Sequence, residues 1–184
     1  ASYTPADTSI SSDFITFTPS NISLAGPESL MTGDSAMKNI SVDIGSLSQY
    51  KNQIYNLTYH IQDVLPKDFV NKSDGVDTVK VQLDFSSLES KTIEVPANKI
   101  MVINLDDKYS YKPSGNYPVT VIGTKSALEE LDYTKLSVLY DFKDSTVEAR
   151  SNYLDAKVSI TLSSDKLCWV YRTSDVQTVT VEIN

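Results

Sequence analysis

One cysteine and one histidine in 184 residues leave little material for several kinds of chemistry. Cys168 alone cannot close an internal disulfide or build a thiolate metal cluster. His60 would have to serve any Ser-His-Asp triad or zinc site. It stands on the polar side of an alternating stretch, where it is expected to face water. Positive charge is also short: 16 Lys and Arg against 24 Asp and Glu give a net charge of −8 and a pI near 4.6. No Lys/Arg cluster occurs. Such a surface repels phosphate backbones and gives no basic patch for anionic lipid, so neither nucleic-acid nor lipid binding is expected of this segment. No apolar run reaches the roughly 18 residues that a spanning helix needs. Glycine numbers only six. Gly26 and Gly123 are isolated, so they read as backbone bends rather than as a phosphate loop.

What is present is strand pattern. Tyr55, Leu57, Tyr59 and Ile61 alternate with polar residues. So do Val79, Val81, Leu83 and Phe85; Leu136, Val138, Tyr140 and Phe142; Leu154, Ala156, Val158, Ile160 and Leu162; and Val179, Val181 and Ile183. Period two with β-branched and aromatic residues describes strands with one face in the core and one in water, as antiparallel sheets permit. Helical pattern is confined to residues 124–131, where Thr124 or Ser126 can cap the start, and to a similar turn at residues 26–31, with Pro27 early in it.

The chain repeats itself. Val76 to Leu83 (VDTVKVQL) matches Val176 to Ile183 (VQTVTVEI), 100 residues further on, and Phe69-Val70 matches Trp169-Val170 at the same interval. Leu24-Ala25-Gly26 matches Val121-Ile122-Gly123, each followed by its short helical turn. Val42-Asp43-Ile44 matches Tyr140-Asp141-Phe142. A period near 100 is too long for a solenoid repeat and denotes duplicated domains. The expected layout is a linker over residues 1–9, a first repeat over 10–88 that is abbreviated at its start, and a second repeat over 89–184. The expected fold is all-β: two tandem antiparallel modules, each with one short helical turn.

The second unit resembles a YbbR-like repeat. The resemblance rests on Pro118-Val119-Thr120-Val121-Ile122-Gly123, the short helix Ser126-Ala127-Leu128-Glu129-Glu130-Leu131, the Asp-centred strand Val138-Leu139-Tyr140-Asp141-Phe142 and the closing strand Val176 to Ile183. The first unit looks like a more divergent copy, and residues 106–112 look like an insertion. YbbR-like repeats lie in tandem outside the membrane of Gram-positive bacteria behind a membrane anchor, and members regulate a membrane-bound diadenylate cyclase, which makes cyclic di-AMP. The resemblance therefore implies a non-catalytic, extracytoplasmic regulator, anchored upstream of Ala1, with the cyclase as partner and with no cofactor. The family supplies no catalytic residue to transfer. A cell-envelope spacer or adhesion module is the alternative, and a carbohydrate-active enzyme the more distant one.

Individual residues fit that picture. Asp106-Asp107 and the Asp141–Asp144 pair lack the alternating acids and terminal Glu of a calcium loop, so they read as solvated turns. Any two of 24 acids could meet as a sugar-cleaving pair, but no motif marks two of them. Cys168 has no basic neighbour and lies in an apolar run, which points to a structural thiol. Tyr109, Tyr111 and Tyr117 surround Pro113-Ser114-Gly115. Tyrosines on a loop offer contact area at low entropy cost, so this loop is the expected partner-contact site, against the alternative that the rings cover the end of the core.

Overall fold

The alternating stretches become strands, and their apolar faces make the core. The computed structural model describes residues 2–5, 10–32, 36–145 and 152–184. They form two compact units: Ala1–Gly45 with Gln53–Ser87, and Ser46–Asn52 with Leu88–Asn184. The fold is all-β with few helical turns.

In the first unit the strands are β1 (Ser2–Pro5), β2 (Ile15–Thr18), β3 (Leu24–Ala25), β4 (Asn39–Val42), β5 (Ile54–His60), β6 (Val70–Asn71) and β7 (Thr78–Asp84). Among the described residues the one α-helical turn there is α1 (Ile61–Val64). In β7, Val79, Val81 and Leu83 are fully buried, as is Phe85 just beyond it, and β7 lies between antiparallel β2 and β5. Each such side chain contributes on the order of 1.5–3 kcal/mol by burial. The second unit has β8 (Glu89–Val95), β9 (Met101–Ile103), β10 (Tyr109–Tyr111), β11 (Tyr117–Gly123), α2 (Lys125–Glu129), β12 (Leu136–Asp141), β13 (Tyr153–Leu162), β14 (Cys168–Tyr171) and β15 (Val176–Ile183). Its larger sheet has the order β10-β15-β13-β12-β9, and its smaller sheet the order β14-β11-β8.

Among the described residues the two units share most of one strand order. In the second, β15 lies between β10 and β13, and β12 pairs with β9 in parallel. In the first, β7 lies between β2 and β5, and β4 pairs with β1 in parallel. Val81 faces Phe17 on one side and Leu57 on the other, while Val181 faces Tyr111. The five-strand order of the second unit is split in the first for a local reason. β13 runs ten residues and its second half pairs with β12. β5 runs seven, and the chain then turns into α1, with Pro66 close behind.

Four expectations need correction. Residues 1–9, read as a linker, contain β1, and Tyr3 is buried and stacks on Phe17 at 5.5 Å. A ring of that size gains more from the core than from water. The modules are not wholly antiparallel, because β1–β4 and β9–β12 are parallel pairs; the long connection from β9 to β12 permits this. Ile61, read as the end of an alternating strand, is buried at the start of α1 instead. Ile183 is 68% exposed, because it pairs with the short edge strand β10 beyond the end of the core.

Residues 46–52 leave the sequence neighbourhood of β4 and β5 and belong to the second unit. There they serve β14: Arg172 N donates to the Ser48 carbonyl at 2.9 Å, and Trp169 Nε1 to the Tyr50 carbonyl at 2.9 Å. Backbone groups on a strand edge need such partners once they are buried. The second unit is therefore not a single continuous stretch of chain.

Candidate contact site

Tyr109 and Tyr111 occupy β10, and Tyr117 opens β11 in the other sheet. None is fully exposed. Tyr111 and Tyr117 both meet buried Tyr140 edge-on, with ring centroids at 5.7 and 5.9 Å. This T-shaped geometry places a positive ring edge against a negative ring face. All three pack against the core of the unit. Tyr111 and Tyr117 thus brace residues 112–116 from below, while those residues themselves are exposed.

Tyr109 is held differently. Its N–H donates to the Asp106 carbonyl at 2.9 Å, and Lys108 Nζ stands 5.0 Å over its ring. Across the strand pair it faces Ile183. Sequence reasoning placed Ile183 inside, so its exposure opposite half-buried Tyr109 was missed. The signal that could have found it is the shortness of the partner strand. Lys112 Nζ pairs with Glu182 at 2.7 Å on the opposite face of the same strand pair, because Glu182 stands across from Ser110.

Burial raises the hydroxyl pKa of Tyr111 and Tyr117 above the ordinary tyrosine value, with smaller lowering contributions from the Tyr140 hydrogen bond and from Arg172 respectively. Tyr140 is raised most: by burial first, then by the neighbouring Tyr111 and Tyr117 hydroxyls and the hydrogen bond with Tyr111. The phenols are thus held neutral.

The acids singled out from the sequence shape turns. Asp141 Oδ1 accepts from Lys143 N at 3.0 Å and from Asn104 Nδ2 at 2.7 Å. Its repeat counterpart Asp43 accepts from Gly45 N at 2.8 Å. The Asp-centred strand motif is therefore a turn that ends the strand in both units. Asp106 Oδ1 accepts from Lys108 N at 3.0 Å in the same way. Asp141, Asp144, Asp155 and Asp175 line a groove of about 220 Å³ with Lys143 and Lys157. Asp155 accepts from Thr178 Oγ1 at 2.7 Å, and Asp175 pairs with Arg172 at 2.8 Å. The hydrogen bond from Asn104, then that from Lys143 N, lowers the Asp141 pKa, the reverse of what a sugar-cleaving general acid requires. Among the described residues no three His, Cys, Asp or Glu side chains are grouped to hold a metal ion.

A second groove of about 360 Å³ is lined by Tyr117, Val158, Ile160, Tyr171, Arg172 and Gln177 among others. Arg172 is committed there to Asp175 and to the Val158 carbonyl, at 2.7 Å. His60 is exposed on β5. Cys168 is a free, half-buried thiol on β14, with Sγ 3.5 Å from the Lys166 carbonyl.

No family model, curated protein or solved structure matches the chain.

Proposed function

We propose that this chain is a non-catalytic contact protein of the bacterial envelope: two YbbR-like repeats, held outside the cytoplasm by a membrane anchor, that regulate a membrane-bound diadenylate cyclase by direct contact. The observation that carries the reading is the duplicated topology, in which the strand order and the glycine, short-helix and Asp-turn elements recur in both units. That order of elements is the one on which the YbbR-like resemblance rests. The contact surface in this reading is the Tyr109–Ile183 edge with residues 112–116 above it. The regulator acts by binding one activity state of the cyclase more tightly than the other.

The test is a titration of the purified chain into membranes that hold the cyclase of the same organism, with cyclic di-AMP followed over time. A saturable change in rate is expected, and it is lost in Ile183→Lys. That residue is exposed enough for the variant to fold. A rate that stays flat, with the membrane-anchored protein as well as the free chain, would overturn the regulatory reading and leave a spacer.

A further inference from the structure

Where the chain crosses from the smaller to the larger sheet of the second unit, each sheet loses a neighbour. β14 ends at Tyr171, opposite Thr120 of β11, and β15 begins at Val176, opposite Lys157 of β13. Residues 172–175 make the crossing. Beyond it β13 runs on to Leu162 with β12 on one side and, among the described residues, no strand on the other. The first unit has no such half-edge, because β7 pairs with β5 along all seven of its residues.

Backbone groups along a strand point to alternate sides. Val158 N donates to the Asp175 carbonyl at 2.7 Å, and the Val158 carbonyl accepts from Arg172 at 2.7 Å. Val158 therefore faces the crossing, and the next residue to face that way is Ile160. Its N–H and carbonyl open on the groove of about 360 Å³. On the opposite wall Thr124 N donates to the Leu167 carbonyl, so the β11 residue that faces the groove beyond Thr120 is Pro118, which has no N–H. Only the β13 wall offers both a donor and an acceptor. The floor is apolar: Val119 and Val158 are buried, and Ile160 and Val170 are half-buried.

We infer that this groove captures the C-terminus of an extended polypeptide, which adds to β13 as an antiparallel strand. One residue of the guest exchanges both main-chain bonds with Ile160. The ladder goes no further, because the next pairing position, Val158, is already filled by Arg172 and Asp175. The guest therefore ends one residue on, opposite Ser159, and its carboxylate arrives at Arg172. That side chain is 28% exposed, and two of its five N–H groups are in use, on Val158 and Asp175. A terminal carboxylate complements the charge and the fork of the remaining donors. Asp175, the present partner, is 63% exposed and can give way to it. Side chains alternate along the guest. Its penultimate residue lies on the face of Ile160, over the apolar floor, and its last residue lies on the outer face with exposed Ser159. The residue two before the penultimate one stands opposite half-buried Leu162, so the guest ends apolar-x-apolar-x. This site uses no residue of the Tyr109–Ile183 edge and stands apart from the cyclase reading.

The experiment uses the full chain and a short synthetic peptide with a free C-terminal carboxylate. The peptide has valine at the penultimate position and two residues before it, and threonine elsewhere. Binding is followed by the anisotropy of an N-terminal fluorescent label, and amide exchange in the chain by NMR. Saturable binding is expected, with roughly tenfold or greater slowing of exchange at Ile160. The same peptide ending in an amide should bind roughly tenfold or more weakly, since its charge-assisted bonds are lost. Aspartate at the penultimate position should weaken binding to a similar degree, because it puts a charge over the apolar floor. These changes lie in the peptide, so folding of the chain does not enter the comparison. Asp175→Asn should strengthen binding about threefold by removing the competing carboxylate, whereas a side chain that only held the crossing would weaken binding when changed. No binding of the acid peptide at about 1 mM would overturn the inference. Equal binding of the amide peptide would overturn it in favour of an internal strand. Self-association of the peptide-free chain with the Ile160 amide already protected would overturn it in favour of a second copy. An Asp175→Asn chain that binds no better would overturn the assignment of the carboxylate to Arg172.

Discussion

Gly123 lies directly across from Cys168 in the β11–β14 pair, so close that a Cβ on the glycine would stand 2.6 Å from the cysteine Cβ and 2.8 Å from the Leu167 carbonyl oxygen. The first unit repeats the relationship: a Cβ on Gly26 would stand 2.6 Å from the ring of Phe69. Phe69 is therefore the counterpart of Cys168, and Val70 of Trp169. The sequence alignment that set Phe69 against Trp169 is one residue out of register. Close approach, not an unusual backbone angle, is what these glycines provide.

Gly123→Ala is expected to destabilise the second unit by about 2–3 kcal/mol, because the obstructing carbonyl is backbone and cannot swing aside. Trp169 is the only tryptophan and lies in that unit. Urea unfolding followed by its fluorescence measures the loss; an unchanged midpoint would refute the packing argument. Gly26→Ala presses on a side chain rather than on backbone, and its smaller loss is read from amide exchange in β7.

Lys91 joins β8 to α2 by donating to two carbonyls at the helix C-terminus. The last carbonyls of a helix lack the donor one turn on, and a cation suits that end of it; the Leu128 carbonyl also accepts from Leu131 N at 3.3 Å. Lys91→Met keeps the apolar stem and removes both bonds. The expected cost is about 1–2 kcal/mol, with faster exchange of α2 amides as the specific sign. Equal stability of the variant would show that water replaces the lysine without penalty.

How legible the sequence was follows from which forces are local. Val79, Val81 and Leu83 alternate because each strand alone decides which of its faces is buried, so β7 and the all-β class could be read directly. The Thr124 cap could be read for the same reason: its hydroxyl accepts from Ala127 N, three residues on. Nothing local marks Ser2–Pro5 as a strand, since its reason to be one is the partner β4 far along the chain. Nor does anything local show that Tyr50 accepts from Trp169, across 119 residues. The tyrosine cluster was legible as a cluster, but the ring beneath Tyr111 and Tyr117 belongs to β12, so their bracing role was not.

The Trp169–Tyr50 hydrogen bond ties residues 46–52 to β14, and Lys51 Nζ adds a contact 4.9 Å over the Tyr171 ring. Trp169→Phe is expected to keep most of the packing and lose the buried bond, at about 1–2 kcal/mol. Exchange of the Tyr50 and Arg172 amides separates causes. If the segment is held through the indole N–H, both accelerate; if packing alone holds it, neither does.

Alkaline pH provides the last test. Tyr140 is 3% exposed and its hydroxyl is raised well above the ordinary value, chiefly by burial. Tyr111 and Tyr117, the hydroxyls that face it, are raised by burial as well. In the unfolded chain all three ionise near pH 10. Above that pH the unfolded state has given up protons that the folded state keeps, so folding stability must fall as pH rises. The stabilising contribution is complete below the unfolded value and disappears as pH climbs through the folded one. A urea midpoint that is level through neutral pH should therefore decline beyond pH 10, and Tyr140→Phe should flatten the decline even if it shifts the midpoint itself. A variant whose slope above pH 10 equals that of the parent would show that the burial of this ring, and with it the bracing of Tyr111 and Tyr117, does not control the alkaline transition.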